Sequence, residues 1–135
     1  MHSMSRLVHR QPAQALASFA VAGVALITIV LALGNVALWL YAQNTVVAAA
    51  QEAAVVASRE NGTPLEGQQS ARSLLVASLG PSAQRVTTID VRLDADVATA
   101  EVRGSWPVVL LGPLASAPLH ATATLERERF RPGGR

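Results

Sequence analysis

Few side chains in this sequence have the types needed for acid–base or nucleophilic chemistry, and they are scattered. There is no cysteine, which excludes disulfides, thiolate metal sites and cysteine nucleophiles. His120 is the only histidine beyond the first ten residues, because His2 and His9 lie near the N-terminus. It falls on the polar side of an alternating pattern, where a lone histidine is usually just solvated. No P-loop, zinc-protease or serine-hydrolase signature occurs, so we expect no enzyme and no cofactor.

Three acidic residues, Asp90, Asp94 and Asp96, lie close together along the chain. Their carboxylates could contact a divalent cation. However, Asp94 and Asp96 lie in a predicted turn, and the calcium-loop spacing with its closing glutamate is absent. Turn formation explains this group better, and we expect no metal site.

The positive charge of the chain does not indicate nucleic-acid binding. All eleven basic residues are arginine, and the formal net charge is +2. Only two Trp, one Tyr and two Phe are present, and no basic patch is interleaved with aromatic residues. We therefore expect no nucleic-acid partner.

An uncharged apolar run from residue 15 to residue 41 dominates the organisation of the chain. As a helix at ~1.5 Å per residue it would be roughly 40 Å long, against a bilayer hydrocarbon core ~30 Å thick. A soluble core helix of this length would normally carry a polar face, and the rest of the chain is too short to enclose it. The run is also longer than the apolar region of a signal peptide, and the small residues Ala48–Ala50 lie well past it. We predict a membrane-spanning helix at 15–41 rather than a buried helix or a removable signal.

The flanks of this helix differ in charge and so predict its orientation. The leader, residues 1–14, carries Arg6 and Arg10 and no acid, whereas nine arginines and nine acids lie beyond the helix. Because positive flanks stay in the cytoplasm, the N-terminus is expected inside and the C-terminal part outside. The expected location is a bacterial plasma membrane, crossed once.

Several residues of the helix are candidates for interface or packing roles. Trp39 and Tyr41 suit the outer headgroup zone, or else pack on a neighbouring helix. Ala22 and Gly23 would allow close helix contacts in lipid. Asn35 could hydrogen-bond across helices, or to water near the outer interface.

Beyond Tyr41 the sequence remains helix-forming, and we predict a helical extension over residues 42–60. Asn61-Gly62 followed by Pro64 predicts its end. Small apolar residues recur on the extension at three- and four-residue spacing and form a stripe, which comprises Val46, Ala50, Ala53, Ala54 and Ala57.

Residues 61–127 predict a small extracytoplasmic α+β domain. A second helix is expected at Gly67–Leu79, stopped by Gly80-Pro81. Three segments alternate apolar and polar residues and predict an antiparallel sheet packed on that helix, namely Arg85–Leu93, Val97–Arg103 and Leu119–Leu125. The tail, residues 128–135, is expected to be flexible. The predicted fold class is thus α+β, with a long N-terminal helix, a short helix and a sheet of about three strands.

The segment Trp106–Leu114, between the second and third predicted strands, is apolar but interrupted by proline. It is too short to span a membrane. It is either a loop tucked under the sheet or an exposed apolar surface that contacts lipid or a partner.

This order of elements resembles the TadE-like minor pilins of bacterial tight-adherence (Flp) pilus systems. Three stretches carry the resemblance. Ser18-Phe19-Ala20 opens the apolar run where such proteins have Glu-Phe-Ala. Leu38–Asn44 precedes an alanine-rich helix at Val47–Ser58, and Glu128–Pro132 closes the chain.

The resemblance implies a pilus or secretion-system role and a candidate processing site. In the family, a prepilin-type peptidase cuts after a glycine, and a glutamate follows five residues into the mature chain. Here the cut would fall between Ala13 and Gln14, and Ser18, next to Phe19, takes the place of the glutamate. With alanine and serine at these positions, we expect the chain to stay unprocessed and membrane-retained.

The partners that the resemblance implies are the lipid bilayer and other pilin-like or platform membrane proteins, in a homo- or hetero-oligomer. The alternative function is a single-pass envelope anchor or binding module unrelated to pili.

Overall fold

A computed structural model describes residues 11–127 of the chain. It contains helix α1 (Gln11–Ser58), helix α2 (Pro64–Leu79) and strands β1 (Val86–Leu93), β2 (Val97–Pro107) and β3 (Ser116–Glu126). Short 3₁₀ turns occupy Gly80–Arg85 and Val109–Leu111. This α+β architecture confirms the predicted fold class. Most of the predicted leader and the whole predicted tail lie outside the described residues.

The chain divides into two compact units, the first ending at Val36 and the second beginning at Ala37. The described part of the first unit is helix alone. The second unit contains the last part of α1, α2 and the sheet. The predicted helical extension therefore contributes directly to the core of the folded domain.

The stripe of small residues on the last part of α1 is buried, which the sequence analysis did not predict. Ala50, Ala53, Ala54 and Ala57 have no exposed surface, and neither has Val46. Their small side chains let α2 come close. At Gly67 of α2 an added Cβ would lie 2.7 Å from the carbonyl oxygen of Ala53, so only glycine fits.

Helix α2 begins at Pro64, so the prediction of a start at Gly67 was wrong. Thr63 is the N-cap: its hydroxyl accepts from the N–H of Glu66, and the Glu66 carboxylate accepts from the N–H of Thr63. This reciprocal capping box satisfies two free donors, and Pro64 is well suited to the first helical position. Pro64, which the sequence pattern uses to mark the end of the preceding helix, is therefore also the first residue of α2.

The sheet has the order β1-β2-β3 and is antiparallel throughout. Its predicted alternation is confirmed, because Val91, Ala100, Val102 and Ala121 are buried on one face. Residues Asp94–Asp96 form the turn between β1 and β2, closed by the Asp94 N–H donating to the Val97 carbonyl at 2.9 Å. The prediction of turn chemistry for this acidic group therefore agrees with the structure.

Strands β2 and β3 are longer than predicted, since pairing continues beyond Arg103 and begins before Leu119. Ser105, Trp106 and Pro107 pair with Pro118, Ala117 and Ser116. Gly104 makes this extension fit: a Cβ there would lie 2.5 Å from the carbonyl oxygen of Arg85. One glycine and two prolines, Gly104, Pro107 and Pro118, are thus accommodated in paired strands.

The apolar segment 106–114 is not tucked under the sheet, so that alternative was wrong. Trp106 and Pro107 belong to β2, and the rest forms a loop at the end of the β2–β3 hairpin. Val109, Leu111 and Leu114 are exposed on it. The other alternative, an exposed apolar surface, is the one that the structure shows.

Candidate membrane anchor and its junction with the folded domain

The first part of α1 is uncharged, apolar and exposed along most of its described length. From Pro12 to Val36 it spans roughly 37 Å, against ~30 Å for a hydrocarbon core. None of its most apolar window is buried within the described chain, and side chains such as Phe19 and Val21 are more than 70% exposed. The chain therefore has one helix, among its described residues, that is long and apolar enough to cross a membrane. This is compatible with a single-pass membrane anchor.

The one hydroxyl near the middle of this helix is satisfied without water. The Thr28 side chain donates to the Val24 carbonyl oxygen at 2.8 Å. Such a bond within the helix removes a cost that an unpaired hydroxyl would have in lipid. The polar break at Thr28 is thus consistent with a lipid environment.

The candidate processing residues all lie at the start of α1. Ala13, Gln14, Ser18 and Phe19 are helical and exposed. Within residues 11–127 no hydrogen bond or ion pair of their side chains is seen, and their role stays a prediction.

The candidate packing residues are also without partners in the described chain. Ala22 is exposed, and a Cβ added at Gly23 would meet no atom within 4 Å. Asn35 is half-buried by its helical neighbours. All three are accessible to another helix, and their predicted packing role stays a prediction.

Trp39 and Tyr41 contact the folded domain, which the sequence did not reveal. The Trp39 indole N–H donates to the Pro118 carbonyl oxygen at 3.4 Å, and the Tyr41 hydroxyl donates to the Ser78 carbonyl oxygen at 3.1 Å. Trp39 is partly buried against the core, whereas Tyr41 is half exposed. These bonds link the helix to β3 and to the end of α2, and the headgroup role of both residues stays a prediction.

Gln43 makes a third and more specific contact between α1 and β3. Its side-chain amide donates to the His120 carbonyl oxygen at 2.7 Å and accepts from the His120 N–H at 3.3 Å. A side-chain amide thus occupies the place of a neighbouring strand at the outer edge of β3. No sequence pattern indicates this pair, because 77 positions separate the two residues.

The alternation of hydrogen bonding in an antiparallel sheet determines which backbone groups of β3 point toward α1. Because the N–H and C=O of His120 point away from β2, those of Pro118 and Thr122 do so too. Proline lacks an N–H, so it is tolerated at an edge position of this kind. α1 therefore protects the first half of an edge that would otherwise be open to another strand.

A polar group lies on the exposed face of the sheet. The Glu101 carboxylate accepts from the Arg103 guanidinium at 2.6 Å and contacts the His120 ring Nε2 at 2.9 Å. The hydrogen bond from His120, and then that from Arg103, lowers the pKa of Glu101 below its usual 4.5. These three residues come from adjacent strands in register, with Arg103 opposite His120. They form a surface ion-pair group in which no residue is placed as a nucleophile.

The described residues offer no metal centre. Within 11–127 no three His, Cys, Asp or Glu residues are grouped so that they could hold a metal ion. Asp90 instead pairs with Arg92 at 2.7 Å on the exposed face of β1. The grooves are shallow, such as one of about 440 Å³ between α1 and β3 lined by Val47, Gln51 and Thr124.

No protein-family model, no curated protein and no solved structure matches this chain.

Proposed function

We propose that this chain is a membrane-anchored, pilin-like subunit or assembly factor of a tight-adherence type pilus or secretion system. The first part of α1 spans a bacterial plasma membrane, with the N-terminus in the cytoplasm and the α+β domain outside. The role is structural rather than enzymatic. The helix packs against helices of other pilin-like or platform proteins, and the domain presents a binding surface.

One observation carries this proposal. A single continuous helix begins as an exposed, uncharged apolar segment and ends as part of a buried domain core. An exposed apolar surface of this extent is unstable in water and requires lipid or other apolar helices. The arginines at positions 6 and 10 support a cytoplasmic N-terminus. The resemblance at Ser18-Phe19-Ala20 and Leu38–Asn44 supports the pilin-like assignment.

The experiment combines membrane extraction with crosslinking in the bacterium that encodes the chain. Membranes are washed with carbonate, and a reporter fused after Arg135 shows on which side the domain lies. We expect the protein to resist the wash and the reporter to be active only outside the cytoplasm. Release by carbonate, or a reporter active only in the cytoplasm, would refute the anchor or its orientation.

Mild crosslinking followed by mass spectrometry then tests the pilus assignment. We expect crosslinks to pilin-like or platform membrane proteins. The matched control is a chain with Leu26→Arg and Val30→Arg, because each arginine near a helix centre costs about 2.5–3.5 kcal/mol on insertion. The control should lose both membrane retention and the crosslinks. A retained chain that crosslinks to none of these proteins would refute the pilus role and favour a plain envelope anchor.

A further inference from the structure

The loop between β2 and β3, residues 108–115, exposes a concentration of large apolar side chains. Val109 is 75%, Leu111 77% and Leu114 97% exposed. No Asp, Glu, Lys or Arg occurs between Arg103 and Glu126. Isolated exposed apolar residues are ordinary, but a group at one loop tip, with no charge around it, indicates a contact surface.

The backbone of this loop is closed on itself. The N–H of Val108 donates to the Ala115 carbonyl at 2.9 Å, and the N–H of Ala115 donates to the Gly112 carbonyl at 3.2 Å. The N–H of Leu111 donates to the Val108 carbonyl at 3.0 Å, within the 3₁₀ turn. Internal pairing of this kind lowers the cost of moving a loop out of water, because unpaired backbone groups are what lipid tolerates least.

The position of the loop follows from contacts inside the second unit. Trp39 bonds to Pro118 and Gln43 bonds to His120, so β3 runs in the same direction as α1. The residues before Pro118 therefore lie toward the end of the domain at which α1 enters it. Pro107 and Ser116 are the last pair of the hairpin, and the loop extends beyond them at that end.

The same end of the domain carries exposed apolar residues of α1 itself. Leu38 and Leu40 are each about half exposed there. The turn between β1 and β2, with Asp94, lies at the opposite end of the hairpin. The apolar loop thus lies at the same end of the domain as Leu38 and Leu40, whereas the charged turn lies at the opposite end.

We infer that the β2–β3 loop inserts Leu111 and Leu114 into the outer leaflet of the membrane that α1 crosses. This inference rests on the proposed membrane anchor. Lipid is the occupant that these observations favour, since the loop is uncharged, part of its backbone is paired within the loop, and it lies at the end of the domain where α1 enters. The domain therefore has a second point of attachment to the bilayer, separate in sequence from α1.

Site-specific fluorescence in vesicles tests the inference, because the natural chain has no cysteine and each variant carries a single one. Leu114→Cys is labelled with an environment-sensitive dye in the full chain, which is reconstituted into phosphatidylethanolamine–phosphatidylglycerol vesicles. Leu38→Cys serves as the control for the anchor, and Asp94→Cys as the control for the remote end. Quenching is compared between a lipid spin-labelled near its headgroup and iodide in the water.

We expect the label at Leu114 to shift to the blue and to lose most of its fluorescence to the spin-labelled lipid, as at Leu38. The label at Asp94 should respond only to iodide. Iodide quenching at Leu114 with lipid quenching at Leu38 would overturn the inference and leave the anchor standing. Protection of Leu114 from both quenchers would overturn it in favour of a protein partner. Absence of lipid quenching at both Leu38 and Leu114 would overturn the inference, and the carbonate wash then decides whether the anchor fails with it.

Discussion

Replacing Gln43 by alanine should loosen the outer edge of β3 where α1 protects it. The substitution removes two hydrogen bonds to His120, of 2.7 and 3.3 Å. Each bond contributes about 0.5–1 kcal/mol, the lower part of the usual range, because water reaches this edge and replaces part of what is lost. Alanine recovers about 0.3 kcal/mol through its higher helix propensity. The expected net loss is therefore about 0.7–1.7 kcal/mol.

The rate of amide hydrogen exchange at His120, measured by NMR on the full chain in micelles, reports this loss of free energy. A loss of this size corresponds to exchange about three- to fifteen-fold faster, since 1.4 kcal/mol is a factor of ten. Gln51→Ala is the matched control, because Gln51 is exposed eight positions later on the same side of α1 and makes no side-chain hydrogen bond in the described chain. Equal His120 exchange rates in Gln43→Ala and Gln51→Ala would show that the amide does not hold this edge.

Three further predictions concern packing, pH and processing. Gly67→Ala should lower the free energy of unfolding by up to about 2 kcal/mol. The added methyl group would lie 2.7 Å from the Ala53 carbonyl oxygen and force α1 and α2 apart, whereas the higher helix propensity of alanine recovers about 1 kcal/mol. Denaturant titration followed by tryptophan fluorescence measures it, and Gly34→Ala, which meets no atom within 4 Å, should show no such loss. The pKa of Glu101 is lower in the folded chain than its usual 4.5, so its stabilisation is full above pH 4.5 and is lost as the pH falls through the folded value. The stability advantage of the natural chain over Glu101→Gln should accordingly shrink below pH 4.5, and an advantage independent of pH would contradict the assignment. Finally, intact mass spectrometry should find a chain that does not begin at Gln14, whereas a mass starting there would show peptidase processing.

The parts of this fold that depend on local pattern could be predicted from the sequence. Alternation placed Val91, Ala100 and Ala121 on the buried face, because neighbouring side chains of a strand point to opposite sides. The small-residue spacing after Tyr41 likewise identified a stripe on one side of α1, and the structure shows that this stripe packs in the core. In both cases backbone geometry fixes the period of the pattern, so the residue types alone are enough to predict which side chains share a face.

Features of the fold that depend on contacts between residues far apart in the sequence could not be predicted. A proline such as Pro118 usually indicates the end of a strand. It is accommodated in β3 because the backbone groups at this position point away from β2, so no N–H is needed for the sheet. The pairing of Gln43 with His120 exists only once the hairpin lies beside α1. The start of α2 is different, because the capping box of Thr63 and Glu66 is a local pattern that the sequence does contain.

The composition of the core has a consequence for how this domain is studied by mutagenesis. Within residues 11–127, eleven of the seventeen buried apolar residues are alanine. Alanine scanning leaves such positions unchanged, so it would pass over most of the interior without registering it. Enlargement is the informative direction, with Ala53→Val or Ala100→Leu as examples, since close backbone approach leaves little space for an added methyl group. The interior of this domain is accordingly far more sensitive to gaining atoms than to losing them.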